Sequence, residues 1–167
     1  MGPLVEASKQ NPDVVNAGYQ YVSVQKEACF FDNAMSFAII RGGHVDVTVL
    51  GALEVDGKGN LASHLIPGKM MSGMGGAMDL VVGTKKVIVA TTHCKKNGKS
   101  SIVERLSLPA TAINKVKLIV TELAVFRVTP DGLMLEEIAP QTTVDEVRAC
   151  TEAVFFVSKD LKPMQSI

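Results

Sequence analysis

Tryptophan is absent from the 167 residues, and all aromatics together make up 5%. That scarcity argues against a sugar-stacking face and a stacking platform for single-stranded nucleic acid. Charge of either sign is not in excess, because 17 basic residues balance 17 acidic ones. Nothing in that balance draws the chain to a nucleic acid or an anionic membrane. Cysteine occurs three times, at Cys29, Cys94 and Cys150, too scattered and too odd in number for a disulfide framework. Reduced, mostly buried thiols are expected, as in a cytosol-like compartment. No apolar run approaches the roughly 18 residues of a membrane span. The opening Met1-Gly2-Pro3-Leu4-Val5-Glu6 has neither the basic nor the apolar region of a signal peptide.

What is present is a globular composition, 47% hydrophobic and 20% charged, of a length that suits one domain. One stretch stands out. Residues 66–83 hold five of the fourteen glycines and lead into the β-type run Lys86-Val87-Ile88-Val89-Ala90-Thr91. Glycine permits positive φ and close approach to the main chain. Gly75-Gly76 then opens a short helical segment, Ala77 to Val82, whose first amides suit an anionic ligand atom. A tight structural turn is the competing reading. Met70, Met71, Met74 and Met78 around this loop read as adaptable packing.

Residues 1–18 read as irregular and Tyr19–Val24 as a strand. Asp32 caps a predicted helix over Asn33–Ile40, which Gly42-Gly43 ends. Val45–Leu50 is strand-like. Asp56-Gly57-Lys58-Gly59 is a hairpin signal between Ala52–Val55 and Asn60–Leu65. Glu54, just ahead of that turn, is expected to be exposed. Cys94–Ser100 reads as a solvated basic loop, and its Gly98-Lys99-Ser100 lacks the upstream glycine of a P-loop. Lys117–Thr121 and Leu123–Val128 read as strands, with a turn at Thr129–Gly132 and a returning arm Leu133–Ile138. Thr143-Val144-Asp145-Glu146 is a capping box. Val154–Val157 is a last short strand, followed by a polar tail without structure. The helices interleave with the strands, so the expected class is α/β with an open, mixed, largely parallel sheet and flanking helices. His44, His64 and His93 lack metal-ligand spacing, so no metal site is expected. Asp79, three residues after Gly76, is expected in a structural role, capping or anchoring the glycine loop, with acid–base work as the alternative.

Several strings together resemble a known family. They are Phe31-Asp32-Asn33-Ala34-Met35-Ser36-Phe37-Ala38-Ile39-Ile40-Arg41-Gly42-Gly43-His44, Val47-Thr48-Val49-Leu50-Gly51-Ala52, Ile66-Pro67-Gly68-Lys69-Met70 and Gly73-Met74-Gly75-Gly76-Ala77-Met78-Asp79-Leu80-Val81. Leu108-Pro109, Thr121–Phe126 and Val147–Ala153 continue the match. The chain resembles the B subunit of class I 3-oxoacid CoA-transferases. The resemblance implies the CoA-transferase fold, pairing with an A subunit in a hetero-oligomer, and CoA thioesters as substrates, with no resident cofactor. It implies transfer of CoA between a 3-oxoacid such as acetoacetate and another acid such as succinate, acetate or butyrate, in ketone-body or short-chain fatty-acid metabolism. In the family a glutamate in a Ser-Glu-Asn-Gly string attacks the acyl-CoA and becomes a glutamyl–CoA thioester.

No Glu-Asn-Gly occurs in these residues. Met1-Gly2-Pro3 matches the end of the Gly-x-Gly-Pro stretch that follows the nucleophile. The expectation is a single B-subunit domain over 1–167 that lacks the family's N-terminal part, has no catalytic residue of its own and is inactive alone. The alternative is a non-catalytic CoA-binding or subunit-binding remnant. The resemblance assigns CoA contact to Asn16, Gly75 and Gly76, and an anion contact to Lys69. With opening strands missing, an uncovered sheet edge and self-association are expected. The compartment implied is the cytoplasm, with the mitochondrial matrix as the alternative.

Overall fold

The computed structural model describes residues 1–16, 18–68 and 75–165. Chain contacts divide it into two compact units, Met1–Ser36 and Phe37–Ile167.

In the first unit a 3-10 turn at Ala7–Lys9 interrupts otherwise irregular chain. Two isolated bridges, Leu4 with Val22 and Val15 with Tyr21, tie its ends together. The strand expected over Tyr19–Val24 is therefore reduced to bridge contacts. Tyr19 has φ of 60°, which breaks the extended run at its first residue. Helix α1, Asn33–Arg41, starts here. Its cap is as expected, since Asp32 Oδ1 accepts the Met35 amide at 2.8 Å.

The second unit carries strands β1 (Val47–Leu50), β2 (Glu54–Asp56), β3 (Leu61–Ala62), β4 (Lys86–Ala90), β5 (Ile102–Val103), β6 (Val116–Val120), β7 (Ala124–Thr129), β8 (Gly132–Ile138) and β9 (Phe155–Pro163). Helices α2 (Ala77–Gly83) and α3 (Val144–Cys150) lie between them in sequence. Six strands form one sheet in the order β1-β4-β6-β7-β8-β9. The pairs β1–β4, β4–β6 and β8–β9 are parallel, while β6–β7 and β7–β8 are antiparallel hairpin arms. A small second sheet runs β3-β2-β5. This is the mixed, largely parallel α/β architecture that the alternation of elements predicts. The β8–α3–β9 passage is a parallel crossover, which needs a helix-length connection. Its helix starts on a complete capping box between Thr143 and Glu146.

The core gathers Val55, Leu61, Val87, Val89, Ile119, Phe126, Leu133, Leu135, Val147 and Phe155. Phe126 and Phe155 meet edge to face at 5.3 Å, and the Arg148 guanidinium covers Phe155 at 4.5 Å. Such aromatic pairs add about 1 kcal/mol beyond simple burial.

Three expectations change. The tail is not structureless, because β9 runs nine residues to Pro163 along β8. The β2–β3 hairpin exists, but its arms are only three and two residues long. Cys29 is exposed and the other two cysteines are half-buried, so the thiols are not mostly buried. Among the described residues no helix is long and apolar enough to cross a membrane. β1 stands at one sheet edge, with Val47 48% and Val49 61% exposed.

Candidate functional site

Gly75 and Gly76 sit at the entry to α2. Gly75 has φ of 55°, and among the described residues a Cβ there would meet nothing within 4 Å. Backbone shape, not crowding, asks for glycine at this position. Gly76 is the N-cap of α2, and its carbonyl accepts the Leu80 amide at 3.0 Å. A Cβ on Gly76 would lie 3.2 Å from the Phe37 ring, so that ring closes over the turn. Among the described residues neither glycine amide meets an acceptor. Asp79, in the first turn of α2, accepts from Arg41 Nε at 2.6 Å. The Arg41 guanidinium also lies over Phe37 at 5.3 Å. The end of α1 thus fixes the start of α2 through one ion pair and one ring; among the described residues Asp79 makes no cap hydrogen bond and has a structural role toward α1. As an acidic residue in the first turn, Asp79 is also favourably placed toward the α2 dipole.

The approach to this loop is tied down separately. Thr111 Oγ1 lies 2.9 Å from His64 Nδ1 and takes the Ser63 amide at 3.0 Å. Lys69, and Met70, Met71 and Met74 with it, lie outside the described residues. Met78 is half exposed.

Asn16 belongs to the first unit. Its Oδ1 accepts the amides of Gly18 at 2.8 Å and Gln20 at 3.0 Å, and its Nδ2 donates to Gln20 Oε1 at 2.9 Å. The side chain shapes its own turn.

The largest correction concerns Glu54. It is 3% exposed, not solvated. Its carboxylate accepts from Lys95 Nζ at 2.8 Å, from the Ser107 amide and hydroxyl at 2.7 Å each, and from the Leu108 amide at 3.2 Å. Burial by itself would raise its pKa. The hydrogen bonds from Lys95 and Ser107, with the Lys95 charge, outweigh that and hold it below the ordinary carboxylate value. The basic loop is accordingly not wholly solvated, since Lys95 closes onto β2.

Residues 93 and 94 turn inward beside it. His93 is fully buried, with Nδ1 2.9 Å from Thr121 Oγ1 and Nε2 2.8 Å from Thr151 Oγ1. Its main-chain amide donates to the Glu122 carboxylate at 2.9 Å. Burial lowers the imidazole pKa, and the Glu122 charge opposes that in part. The Thr121 and Thr151 hydroxyls also lie within donating distance of the carbonyls of Ala124 and Val147. A neutral imidazole has one donor and one acceptor. One of the two hydroxyls must therefore turn its proton to the ring.

A cavity of about 460 Å³ opens between the β2–β3 and β7–β8 turns, with Lys58, Glu104, Asn114, Asp131 and Phe156 in its wall. Gly75 and Gly76 do not line it. Among the described residues no cluster of three or more His, Cys, Asp or Glu side chains could hold a metal ion.

Comparison with known proteins decides the family. The coenzyme A transferase family model matches residues 1–149. The chain belongs to the coenzyme A transferase family. It is 53% identical to the acetate CoA-transferase subunit beta of Haemophilus influenzae over 155 residues, covering 93% of this chain and 70% of that protein. It is 46% identical to the mitochondrial succinyl-CoA:3-ketoacid coenzyme A transferase 2A of Rattus norvegicus, covering all of this chain but 32% of that one. An acyl-CoA transferase from Escherichia coli O157:H7, solved as a thioester complex with CoA, superimposes with a TM-score of 0.74 at 26% identity. That match spans 91% of this chain and 33% of the solved one. The glycine turn and the α1–α2 clamp around it fall inside the matched region of the family.

Proposed function

We propose that this chain is the B part of a CoA-transferase that moves CoA between a 3-oxoacid, such as acetoacetate, and a second carboxylic acid, such as succinate, acetate or butyrate. It works with an A subunit in a hetero-oligomer. The observation that carries this reading is the Gly75-Gly76 turn, clamped by Arg41–Asp79 and Phe37, within a chain of this family. Relatives named for acetate and for succinyl-CoA:3-ketoacid transfer support the two acid types. In this reading Gly75 and Gly76 lie against CoA near its thioester, Asn16 shapes a second CoA-facing turn, and Lys69 meets a ligand anion.

The reaction is covalent catalysis by a carboxylate. A glutamate attacks the acyl-CoA carbonyl, giving an acyl-glutamyl anhydride and the CoA thiolate. The thiolate then attacks the glutamyl carbonyl, releasing the first acid and leaving a glutamyl–CoA thioester. The second acid reverses the sequence. Each tetrahedral stage places charge on oxygen, which fixed amide donors stabilise. The 167 residues contain no Glu-Asn-Gly, so they supply the CoA cradle and not the nucleophile. The setting is the cytoplasm or the mitochondrial matrix.

Calorimetry with coenzyme A tests the cradle. Saturating heat at up to millimolar CoA is expected, and no heat overturns it. Transfer of CoA from succinyl-CoA to acetoacetate tests the division of labour. The chain alone should show no activity above a control holding only the A subunit, and activity above it overturns the missing nucleophile. The lack of Glu-Asn-Gly also favours a second reading, a non-catalytic CoA-binding or subunit-binding module of the same fold. An in-frame Ser-Glu-Asn-Gly in coding DNA ahead of Met1 decides for the enzyme, and its absence decides for the module.

A further inference from the structure

The thiols of Cys94 and Cys150 come from distant parts of the second unit. Cys94 follows β4 and pairs with Ser100 in an isolated bridge, while Cys150 is the last residue of α3. Fifty-six positions separate them, yet Cys94 Sγ donates to the Cys150 carbonyl at 3.9 Å. Both residues are half-buried and both are free thiols.

The approach is held from both sides. One residue before Cys94, His93 Nε2 contacts the hydroxyl of Thr151, one residue after Cys150, at 2.8 Å. One residue beyond Cys94, Lys95 is fixed to Glu54 at 2.8 Å. The His93–Thr151 contact joins the same two segments one residue to the side, and Lys95 pins the Cys94 loop to β2, so the meeting of 94 and 150 is a property of the fold. A chance rotamer would not bring its sequence neighbours along.

We propose that Cys94 and Cys150 form a two-sulfur site that is bridged by monosubstituted trivalent arsenicals and closed to a disulfide by a hydroperoxide. The proposal does not rest on the transferase reading. With an arsenical R–As=O, two As–S bonds form and the oxygen leaves as water with both thiol protons. No electrons change hands. With a hydroperoxide, one thiolate attacks the O–O bond, an alcohol (water, from hydrogen peroxide) leaves, and a sulfenic acid remains. The second thiol displaces water from that sulfur, so two sulfur electrons reduce the peroxide.

Burial raises the Cys94 pKa, and the neighbouring Cys150 thiol and Glu122 carboxylate raise it further. Thiolate is the species that attacks peroxide. The peroxide reaction is therefore the slow arm near neutrality and the arsenical the sharp one.

The test uses the full chain carrying Cys29→Ser, which removes the exposed thiol. Phenylarsine oxide is added, excess is quenched with 2-mercaptoethanol, and intact mass is read. One adduct per chain should survive the monothiol and be stripped by dithiothreitol. After loading, a maleimide should label neither remaining cysteine. Adding Cys94→Ser or Cys150→Ser should reduce the monothiol-resistant adduct to background. Hydrogen peroxide should remove two hydrogens from the Cys29→Ser chain and none from either further variant. No resistant adduct, or an equal one in a single-thiol variant, overturns the site. The maleimide readout needs only the Cys29→Ser chain, so poor folding of the other variants does not rescue the proposal.

Discussion

Lys95 donates to Glu54 at 2.8 Å, and the carboxylate end of that pair lies almost wholly inside the protein. Two main-chain amides and one hydroxyl from Ser107 and Leu108 complete its shell. One acidic side chain thus joins β2, the loop after β4 and the segment after β5.

Removing that carboxylate should be costly. Glu54→Ala leaves buried donors without an acceptor, and a loss of about 3 kcal/mol is expected. Glu54→Gln keeps an acceptor but not the charge and should lose less. Urea midpoints at pH 7 for the three chains check the order. The pH dependence has a definite sign. The folded carboxyl has a depressed pKa, so its contribution is fully present above the unfolded value of about 4.3. It is lost as pH falls through the folded pKa. Glu54→Gln should flatten the wild-type loss in that acid window, and an unchanged slope refutes the assignment.

His93 acts in a different window. Its folded pKa is lowered by burial, so the unfolded chain takes up the proton first. Stability is complete above the unfolded value of about 6.5 and falls as pH drops from there to the folded pKa. Chemical denaturation between pH 7.5 and 5 should show this slope. His93→Gln, which cannot titrate, should be less stable at pH 7.5 and should lack the slope.

The glycine turn separates shape from crowding. Gly75→Ala meets no atoms among the described residues but must hold φ of 55°, which costs about 1 kcal/mol. Gly75→Asn, which tolerates that region, should recover part of it. Gly76→Val instead drives methyl groups into Phe37. Calorimetry with CoA should find affinity weakened most in Gly76→Val. Equal CoA binding by all three variants and the wild type removes the turn from the CoA site.

The β1 edge predicts behaviour in solution. Val47 and Val49 face outward on a strand that, among the described residues, is paired on one side. Open apolar edges pair with other chains, and charge blocks them. The chain should self-associate at high concentration, and Val49→Lys should reduce this. A sharp monomer peak for the wild type in size-exclusion chromatography contradicts the prediction.

Features set by near neighbours were readable in the sequence. The Asp32 cap, the Thr143–Glu146 box and the Asp56–Gly59 turn each depend on residues within four positions. Glu54 was not, because Lys95 and Ser107 lie 41 and 53 positions away. A charge before a turn looks solvated when its partners are that remote. The second half of β9 hid behind Lys159, Asp160 and Lys162, the charges that suit an edge strand. Strand β5 is two residues long and offers no period to detect. At the candidate site, the glycines and Asp79 were visible by type and spacing. The Phe37 ring over Gly76 was not, because 39 positions separate them and nothing in either string records a meeting.

The strand order has a consequence for synthesis. Strands β6, β7 and β8 are sequence neighbours and sheet neighbours, so they can zip together by short hairpins as they emerge. The first and last strands of the large sheet occupy its two opposite margins. A nascent chain halted before residue 155 would leave the rim of β8 bare, with Leu133 and Leu135 missing Phe155 and Val157 as partners. Translation arrested before residue 155 should therefore yield a sticky, protease-sensitive product.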